Sequence, residues 1–583
     1  MPFTILADFA QVLTVLAIAL LPVASLLSVP SAWDSSEPAR ALAVALALAL
    51  VAIAARRVPG RMTRRAALIL MGAALLVVLS AAVNGLASGF FGVPGRLQGV
   101  YSLFVLVSAA AVGVLAVSRR TQILAGALAI VSTAQVMLML AQLGRGEAPV
   151  GTLGNGVPAG AFLAVSASIV IAAALTRAGN ARLVFAGAAL VAAAGVGLSG
   201  SRGALFGLIV GVLVALVAVR ATLRRGSLVL ALAALAVVVG VTLSGSVMTA
   251  KIGADGLRQG SAGSRLQIWR GTAEMIADHP VLGVGAGRFL YEFPAYQPLA
   301  HALIEDPDRR ADQAHSLPLQ MAAESGVPAA LLFVVLVGLV LAAGIPAVRR
   351  RDGAAVLALA GFSAYGAQAL FGVPSLGVDL LGWALGGVLL ARGDAVAETS
   401  KQERGTGTRA GLATPVRGIL VLAALLLGGV VVWYLVADAA HARGVAAFQR
   451  GEFETAFSAE RLAITRNPLI DIYRVGLADA ATYLGPEAVR EARASLEEGL
   501  RLEPDSYDLH IARARLLASA GVPPTELADA YRSAVAAYPL GVTVNEEALV
   551  AFVAASASAD ATRSQETLRA LGRRSSPVLE VTP

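Results

Sequence analysis

Three side chains suggest a chemistry before any fold is known. The segment AHSLPLQMAAESG (314–326) carries His315, followed by Ser316 as candidate N-cap and by Pro318 in the first turn of a helix. The positive end of a helix disfavours imidazolium, so this ring is expected to stay neutral. A neutral imidazole near pH 7 can accept a proton from a hydroxyl, although a lone surface His more often has no such role. Arg202 stands in LSGSRGALFG between two apolar runs. An Arg within reach of hydrocarbon either binds an anion or snorkels to headgroups. Arg265 falls in GSRLQIWRGTAEMIADHP, where Ser264 and Gln267 form a capping box. The helix expected there runs to Asp278, presents Ile268, Trp269, Thr272, Met275 and Ile276 on one apolar face, and stops at Pro280. Arg is the side chain suited to gripping phosphate with a planar fork.

Two neighbouring patterns read differently. GVGAG, just before Arg288, has no preceding strand and lacks the third Gly of a dinucleotide fingerprint, so a flexible turn at the membrane surface is expected. Asp306-Pro-Asp308 has the Asp-x-Asp spacing of metal-dependent nucleotide-sugar enzymes. Set between Glu305 and Arg309–Arg310, it reads instead as an exposed turn, and no metal is expected. With no cysteine in the chain, disulfides, iron–sulfur clusters and thiolate zinc sites are excluded.

These residues need elements to hold them, and composition says what kind. Of 583 residues, 57% are hydrophobic and 14% charged. Soluble domains carry roughly a quarter charged residues, so this much apolar side chain requires lipid as solvent. The Ala and Gly bias suits close helix packing, and a GC-rich genome would produce the same bias. Apolar runs near the length of a bilayer crossing, about 20 residues, fall at 6–28, 39–55, 66–84, 99–117, 122–141, 159–176, 183–200, 204–220, 228–245, 328–347, 353–372, 379–393 and 416–436. The first lacks a basic leader region, so a retained helix is expected rather than a signal peptide. The fold class is therefore all-α, a polytopic bundle of 12–13 spans.

Loops alternate in charge. One set is rich in Arg (Arg56, Arg57, Arg61, Arg64 and Arg65; Arg119 and Arg120; Arg177 and Arg182; Arg220, Arg224 and Arg225; Arg349 to Arg351; Lys401, Arg404, Arg409 and Arg417). The other set, 29–38, 84–98, 142–158 and 372–378, is poor in basic residues. Basic loops stay in the cytoplasm. The net charge of +8 is thus expected to report topology rather than nucleic acid. The N-terminus falls inside, and the long loop 246–327 and everything after 437 fall outside. Long loops on a rigid scaffold tend to carry function. Residues 1–436 form the membrane domain, 394–416 a polar cytoplasmic linker, and 437–583 a charged helical domain. That last domain holds three self-similar stretches ending at Pro468, Pro504 and Pro539, spaced 36 and 35 residues apart. The spacing is near the tetratricopeptide period of about 34, so a short helical solenoid is expected, either binding a protein partner or steadying the membrane part.

Residues 151–330 resemble the O-antigen ligase and polymerase superfamily (Wzy_C type) of bacterial membrane glycosyltransferases. The resemblance rests on GTLGNGVPAGAFL (151–163), GSRGA (200–204), SRLQIWRGTAEMIADHPVLGVGAGRF (264–289) and AHSLPLQMAAESG (314–326), in this order. Gly156-Val157-Pro158 and His315-Ser316 depart from common family patterns without removing a chemically capable residue. The resemblance implies a GT-C-like bundle in the bacterial inner membrane. It implies transfer of a glycan from an undecaprenyl-pyrophosphate carrier to a hydroxyl on a glycan, lipid or protein acceptor, with inversion and without cofactor or nucleic acid. It also implies that Arg202 and Arg265 hold the pyrophosphate, that His315 acts as base, and that Asn155, Arg270, Arg288, Gln320 and Glu324 lie within substrate reach. Two guanidinium groups can neutralise a departing pyrophosphate in place of a metal.

Three alternatives remain open at this stage. A polymerase of the same family differs only in its acceptor. A lipid II polymerase would rely on an outer carboxylate such as Asp34, Glu37 or Asp379, leaving the Arg and His motifs unexplained. A transporter or flippase would show repeats and charges at the membrane midplane, whereas the ionisable residues here gather at the loops.

Overall fold

Each apolar run becomes a helix, because an uninterrupted apolar segment in lipid must satisfy its backbone internally. The structure, a computed structural model, describes residues 2–29, 31–34, 36–54, 60–245, 261–372, 375–402 and 414–573. Arg56, Arg57, Arg404, Arg409 and the first part of the long loop, 246–260, lie outside the described residues. The membrane helices are α1 (Pro2–Val23), α2 (Glu37–Ala54), α3 (Arg61–Asn84), a short α4 (Leu86–Phe91), α5 (Val100–Leu115), α6 (Thr121–Gly144), α7 (Gly156–Thr176), α8 (Gly179–Ser199), α9 (Arg202–Ala218) and α10 (Leu223–Leu243). After the loop helices α11 (Ser261–Asp278), α12 (Phe289–Tyr296) and α13 (Leu299–Ile304) come α14 (Leu317–Arg349), α15 (Gly353–Ala369), α16 (Leu376–Gln402) and α17 (Thr414–Gln449). Among the described residues, eleven segments are long and apolar enough to cross a membrane, and α9 and α15 are apolar but shorter. The chain is a polytopic helical membrane protein.

The bundle is organised around α7, whose Phe162, Leu163, Val165 and Val170 are fully buried. Outer helices keep large apolar side chains exposed, among them Leu68, Met71, Ile130, Leu183 and Val217. A soluble monomer rarely tolerates so much apolar surface, and lipid is its natural cover. Helices α5 and α16 approach closely because a Cβ at Gly113 would strike the Ala384 carbonyl and one at Gly387 the Ala110 carbonyl.

Two expected boundaries move. The linker 394–416 begins as helix, since α16 runs to Gln402; buried Asp394 accepts the Met62 and Thr63 amides at 2.7 and 3.1 Å and caps α3. The last apolar helix does not stop at 436. Its Ala-rich continuation has no breaker, and α17 runs on to Gln449 as the first helix of the C-terminal domain.

That domain continues through α18 (Phe453–Arg466), α19 (Ile472–Ala481), α20 (Pro486–Leu502), α21 (Tyr507–Ser519), α22 (Pro524–Ala537), α23 (Val542–Ala554) and α24 (Ser558–Ala570), each packed on the next. Alternate helices end in the same way. Asn467, Glu503 and Tyr538, each before a Pro, have φ of −142°, −136° and −144° with ψ of 94°, 78° and 79°. A residue before Pro is barred from helical geometry, so each Pro forces the same turn. The turns after these prolines dock onto the long loop. Asp471 accepts from Tyr291 at 3.1 Å, Asp508 from Arg310 at 2.7 Å, and the Thr543 hydroxyl donates to Asp308 at 2.7 Å. Asp306-Pro-Asp308 is thus a docking turn.

Candidate active site

The Arg202 side of the site is built by a tight helix–helix turn. Helix α8 ends at Gly200, left-handed at φ 66°, and Ser201 caps α9 by accepting the Ala204 amide at 3.3 Å. Arg202 therefore falls in the first turn of α9, half-buried. A Cβ at Gly160 would run into Ser199, Ser201 and Ala204, so α7 lies flush against this turn. Asn155 caps α7 by accepting the Val157 amide at 2.9 Å and is exposed nearby.

Arg265 comes from α11. The helix already includes Ser261, so Ser264 sits inside it and the expected capping box is not the start. Its inner face buries Ile268, Thr272 and Met275 in a small core with Phe289, Phe293 and Ala314. Trp269, one turn after Arg265, has its ring centroid 6.1 Å from that of Phe371. Phe371 in turn meets Phe206, one turn after Arg202, edge to face at 5.8 Å. This aromatic bridge brings the two Arg-bearing helices together. Burial and the like charge of Arg202 both lower the Arg265 pKa.

His315 is held by its neighbour. The Ala314 carbonyl accepts from Trp269 Nε1 at 2.8 Å, and the Ala314 amide donates to Gln320 Oε1 at 2.6 Å. Between this clamp and α14, His315 is left-handed at φ 52°, an uncommon conformation for a residue with a Cβ. Ser316 occupies the N-cap position with Pro318 in the first turn, as expected, but its hydroxyl makes no cap hydrogen bond. Burial first, then the Arg265 charge, push the His315 pKa down to about 4, with Arg96 and Arg309 adding to the effect and Asp312 opposing it. Nδ1 is buried without a hydrogen-bond partner among the described residues. Arg96, from the loop after α4, pairs with Asp312 at 2.5 Å, and Gln98 pairs with Gln313 at 2.7 Å. Sequence reasoning missed Arg96 and the clamping role of Trp269. Arg96 lies in a loop otherwise poor in basic residues and some 200 positions from its partner, so no local signal marks it.

Two expectations are corrected. GVGAG is not a flexible surface turn. Gly283, Gly285 and Gly287 are buried with φ of 65°, 114° and 71°, and Val284 and Gly285 donate to the Ala323 and Glu324 carbonyls at 2.9 and 3.0 Å. Glycine is needed there for left-handed backbone, not for mobility. Arg288 is not free to bind substrate. It is 1% exposed and pairs with Glu503, with Glu292 at 2.9 Å and with Asp505 at 2.8 Å. Arg270 is exposed and donates to Gln267 at 3.3 Å. Gln320 spends both ends of its amide, one on Ala314 and the other on Glu324 at 2.9 Å.

Helix α14 is two segments. Gly326, with φ 85° and ψ 162°, breaks it after Ser325. Leu317, Gln320 and Glu324 of the first segment line a cavity of about 120 Å³ with Gln98 and Asp379. Phe333, Tyr365 and Trp383 are shared with a second, almost wholly apolar cavity of about 250 Å³ between α3, α5, α14, α15, α16 and α17. Among the described residues, no His/Asp/Glu group has the arrangement to hold a metal. The outer carboxylates weighed above are committed elsewhere. Asp34 is hydrogen-bonded to the Glu37 amide, Glu37 pairs with the fully buried Arg40, and Asp379 accepts the Ser375 amide at 2.9 Å.

The fold and site together define a helical membrane protein with a charged site at one end of its bundle. Residues 187–334, about a quarter of the chain, match the family model for O-antigen ligase (Wzy_C). The resemblance carried by GSRGA, the α11 segment and AHSLPLQ thus holds over this stretch, which is of the O-antigen ligase and polymerase type. The match covers Arg202, Arg265 and His315 but neither Asn155 nor the C-terminal array. No curated protein matches the chain.

Proposed function

We propose that the protein transfers a glycan from an undecaprenyl-pyrophosphate carrier to an acceptor hydroxyl at the outer face of the bacterial inner membrane, with inversion and without a metal. The observation that carries this reading is His315: buried Nδ1 without a partner among the described residues, backbone held left-handed, ring kept neutral by burial and by Arg265. In the reaction the acceptor oxygen bonds to the anomeric carbon as the bond from that carbon to the pyrophosphate oxygen breaks. The hydroxyl proton passes to His315, and the pyrophosphate leaves on the carrier, its charge met by Arg202 and Arg265. The adjoining polar and apolar cavities support a donor with a polar head and a hydrocarbon tail. Because His315, Arg202 and the array lie on the side free of Arg-rich loops, the positive-inside rule supports an extracytoplasmic site and a cytoplasmic N-terminus.

A polymerase would run the same step with a carrier-linked acceptor. The C-terminal array, of tetratricopeptide-like spacing, would offer a surface for a protein or glycan partner. The test is the purified His315→Ala protein beside Arg265→Ala. Transfer should fall by orders of magnitude in both, while lipid-linked donor binding survives in the first and is lost in the second. Full transfer by His315→Ala rejects the assignment. Gene deletion followed by analysis of surface glycans separates the two activities. Short lipid-linked units accumulate without a polymerase, and full-length carrier-linked polymer accumulates without a ligase.

A further inference from the structure

The Arg-rich loops hold a second feature at the bundle end opposite His315. Helices α9 and α14 begin at the site with Arg202 and Leu317 and reach this end at Ala218 and Arg349. A cavity of about 880 Å³ lies here, lined by Arg119, Arg177, Arg225, Arg351 and Arg392, with Asp352 as the only lining carboxylate among the described residues. That volume is in the range of built small-molecule sites, roughly 300–1,000 Å³. Asp352 is already committed: it accepts the Ala354 and Ala355 amides at 2.9 and 3.2 Å and pairs with Arg392. Arg225 donates from Nη2 to the Leu175 carbonyl at 2.8 Å, and its Nε is buried without a protein partner among the described residues.

The positive-inside rule accounts for Arg at this end. It does not account for Arg177, Arg225 and Arg392 lying half-buried around one volume with the exposed Arg119 and Arg351 at its rim, since gathering like charges costs Coulomb energy. A helix end adds to the field. Helix α6 begins at Thr121 without a side-chain cap, and Thr121 and Gln122 line the cavity. Uncapped amides and the helix dipole both favour an anion there. The remaining wall is apolar, through Ala125, Ala173, Leu175, Val356 and Leu357, and Phe185 borders it on α8 beside the exposed Leu183 and Val184.

We infer that this cavity binds the phosphate of an anionic phospholipid headgroup from the leaflet that faces it. An anionic head against the Arg cluster and an apolar body along the α6 and α8 side satisfy both kinds of wall. Basic pockets between membrane helices on the cytoplasmic side take such headgroups.

The test uses purified full-length protein in detergent, offered phosphatidylglycerol, phosphatidylcholine or inorganic pyrophosphate, with native mass spectrometry counting what is retained. Phosphatidylglycerol should be retained over phosphatidylcholine. Near a charged surface each basic residue is worth about fivefold in affinity, so Arg177→Gln/Arg225→Gln should lose about 25-fold. Arg145→Gln, at the other end of the bundle and paired with Glu147, should behave as wild type. Equal retention of the two lipids, or an unchanged double variant, overturns the site. Pyrophosphate binding without phosphatidylglycerol binding overturns the lipid and assigns a soluble phosphate. Should the double variant misfold, the wild type decides by salt. Retention must drop as ionic strength rises from about 0.05 to about 0.5 M, and salt-independent retention refutes the proposal.

Discussion

Replacing Arg288 by Met distinguishes a structural tie from a substrate ligand. The Arg288 and Glu503 side chains are 1% and 3% exposed. Removing the guanidinium leaves the Glu503 carboxylate buried with the Ser88 amide, at 2.7 Å, as its remaining donor. Breaking a buried pair from one side costs about 3–5 kcal/mol, because an uncompensated charge stays behind. Glu292 and Asp505, 24% and 53% exposed, can turn to water and add little. At 1.4 kcal/mol per factor of ten, the docked state of the array should lose about two to three and a half powers of ten in population. Making Glu503→Gln as well removes the stranded charge while keeping an acceptor for Ser88, so the double variant should recover a large part of the loss. The readout is native-state proteolysis and hydrogen exchange across α12 and α21, which track the open population. Arg288→Met with wild-type protection and abolished donor binding would refute the structural account and return Arg288 to the substrate.

Other consequences are as direct. In the free protein His315 stays neutral down to about pH 4, where an ordinary His titrates near 6.5. The kcat/KM profile should therefore keep its activity well below pH 6, while bound pyrophosphate, by offsetting Arg265, should move the acid limb of kcat upward; identical limbs near 6.5 would contradict this. The folded value lies below the unfolded one, so this residue's share of stability is full above about pH 6.5 and fades toward pH 4. Trp269→Phe keeps the ring against Phe371 but strands the fully buried Ala314 carbonyl, a loss of about 1–3 kcal/mol. It should lower kcat by roughly five- to 150-fold with donor KM little changed, and a KM effect alone would show that His315 placement is unaffected. Chelating divalent cations should leave transfer intact, and complete loss would sink the Arg-only account of pyrophosphate stabilisation.

The sequence was most informative where one interaction dominates. Apolar runs had to become membrane-length helices, because backbone in lipid must satisfy itself. The prolines at 468, 504 and 539 marked real turns, since pre-Pro sterics act locally. The failures share a cause as well. Arg288 resembled Arg265 in sequence, but its partner Glu503 lies 215 positions away. Glycines at 283, 285 and 287 suggested mobility, and only packing against α14 shows that they serve a buried left-handed turn. The helix that begins at Thr414 runs past 436 to Gln449, because nothing in an Ala-rich sequence tells a helix to end.

These long-range pairings also explain the sign of the site. The loop that carries His315 and the array that docks on it contain many carboxylates, which left free would repel an anionic donor. Docking pairs the array's Glu503 and Asp505 with Arg288 and its Asp508 with Arg310, while Glu292 is held by Arg288 within the loop itself. Asp312 is held by Arg96 at 2.5 Å. What bears on His315 afterwards is mainly positive, from Arg265, Arg96 and Arg309 against Asp312 alone. That charge adds to burial in keeping the imidazole unprotonated, as a base requires, and keeps cationic surface for a pyrophosphate. Array docking and anion selectivity therefore rest on one distribution of charge, so variants that loosen the array should also weaken the site's hold on its donor without touching a residue of the site.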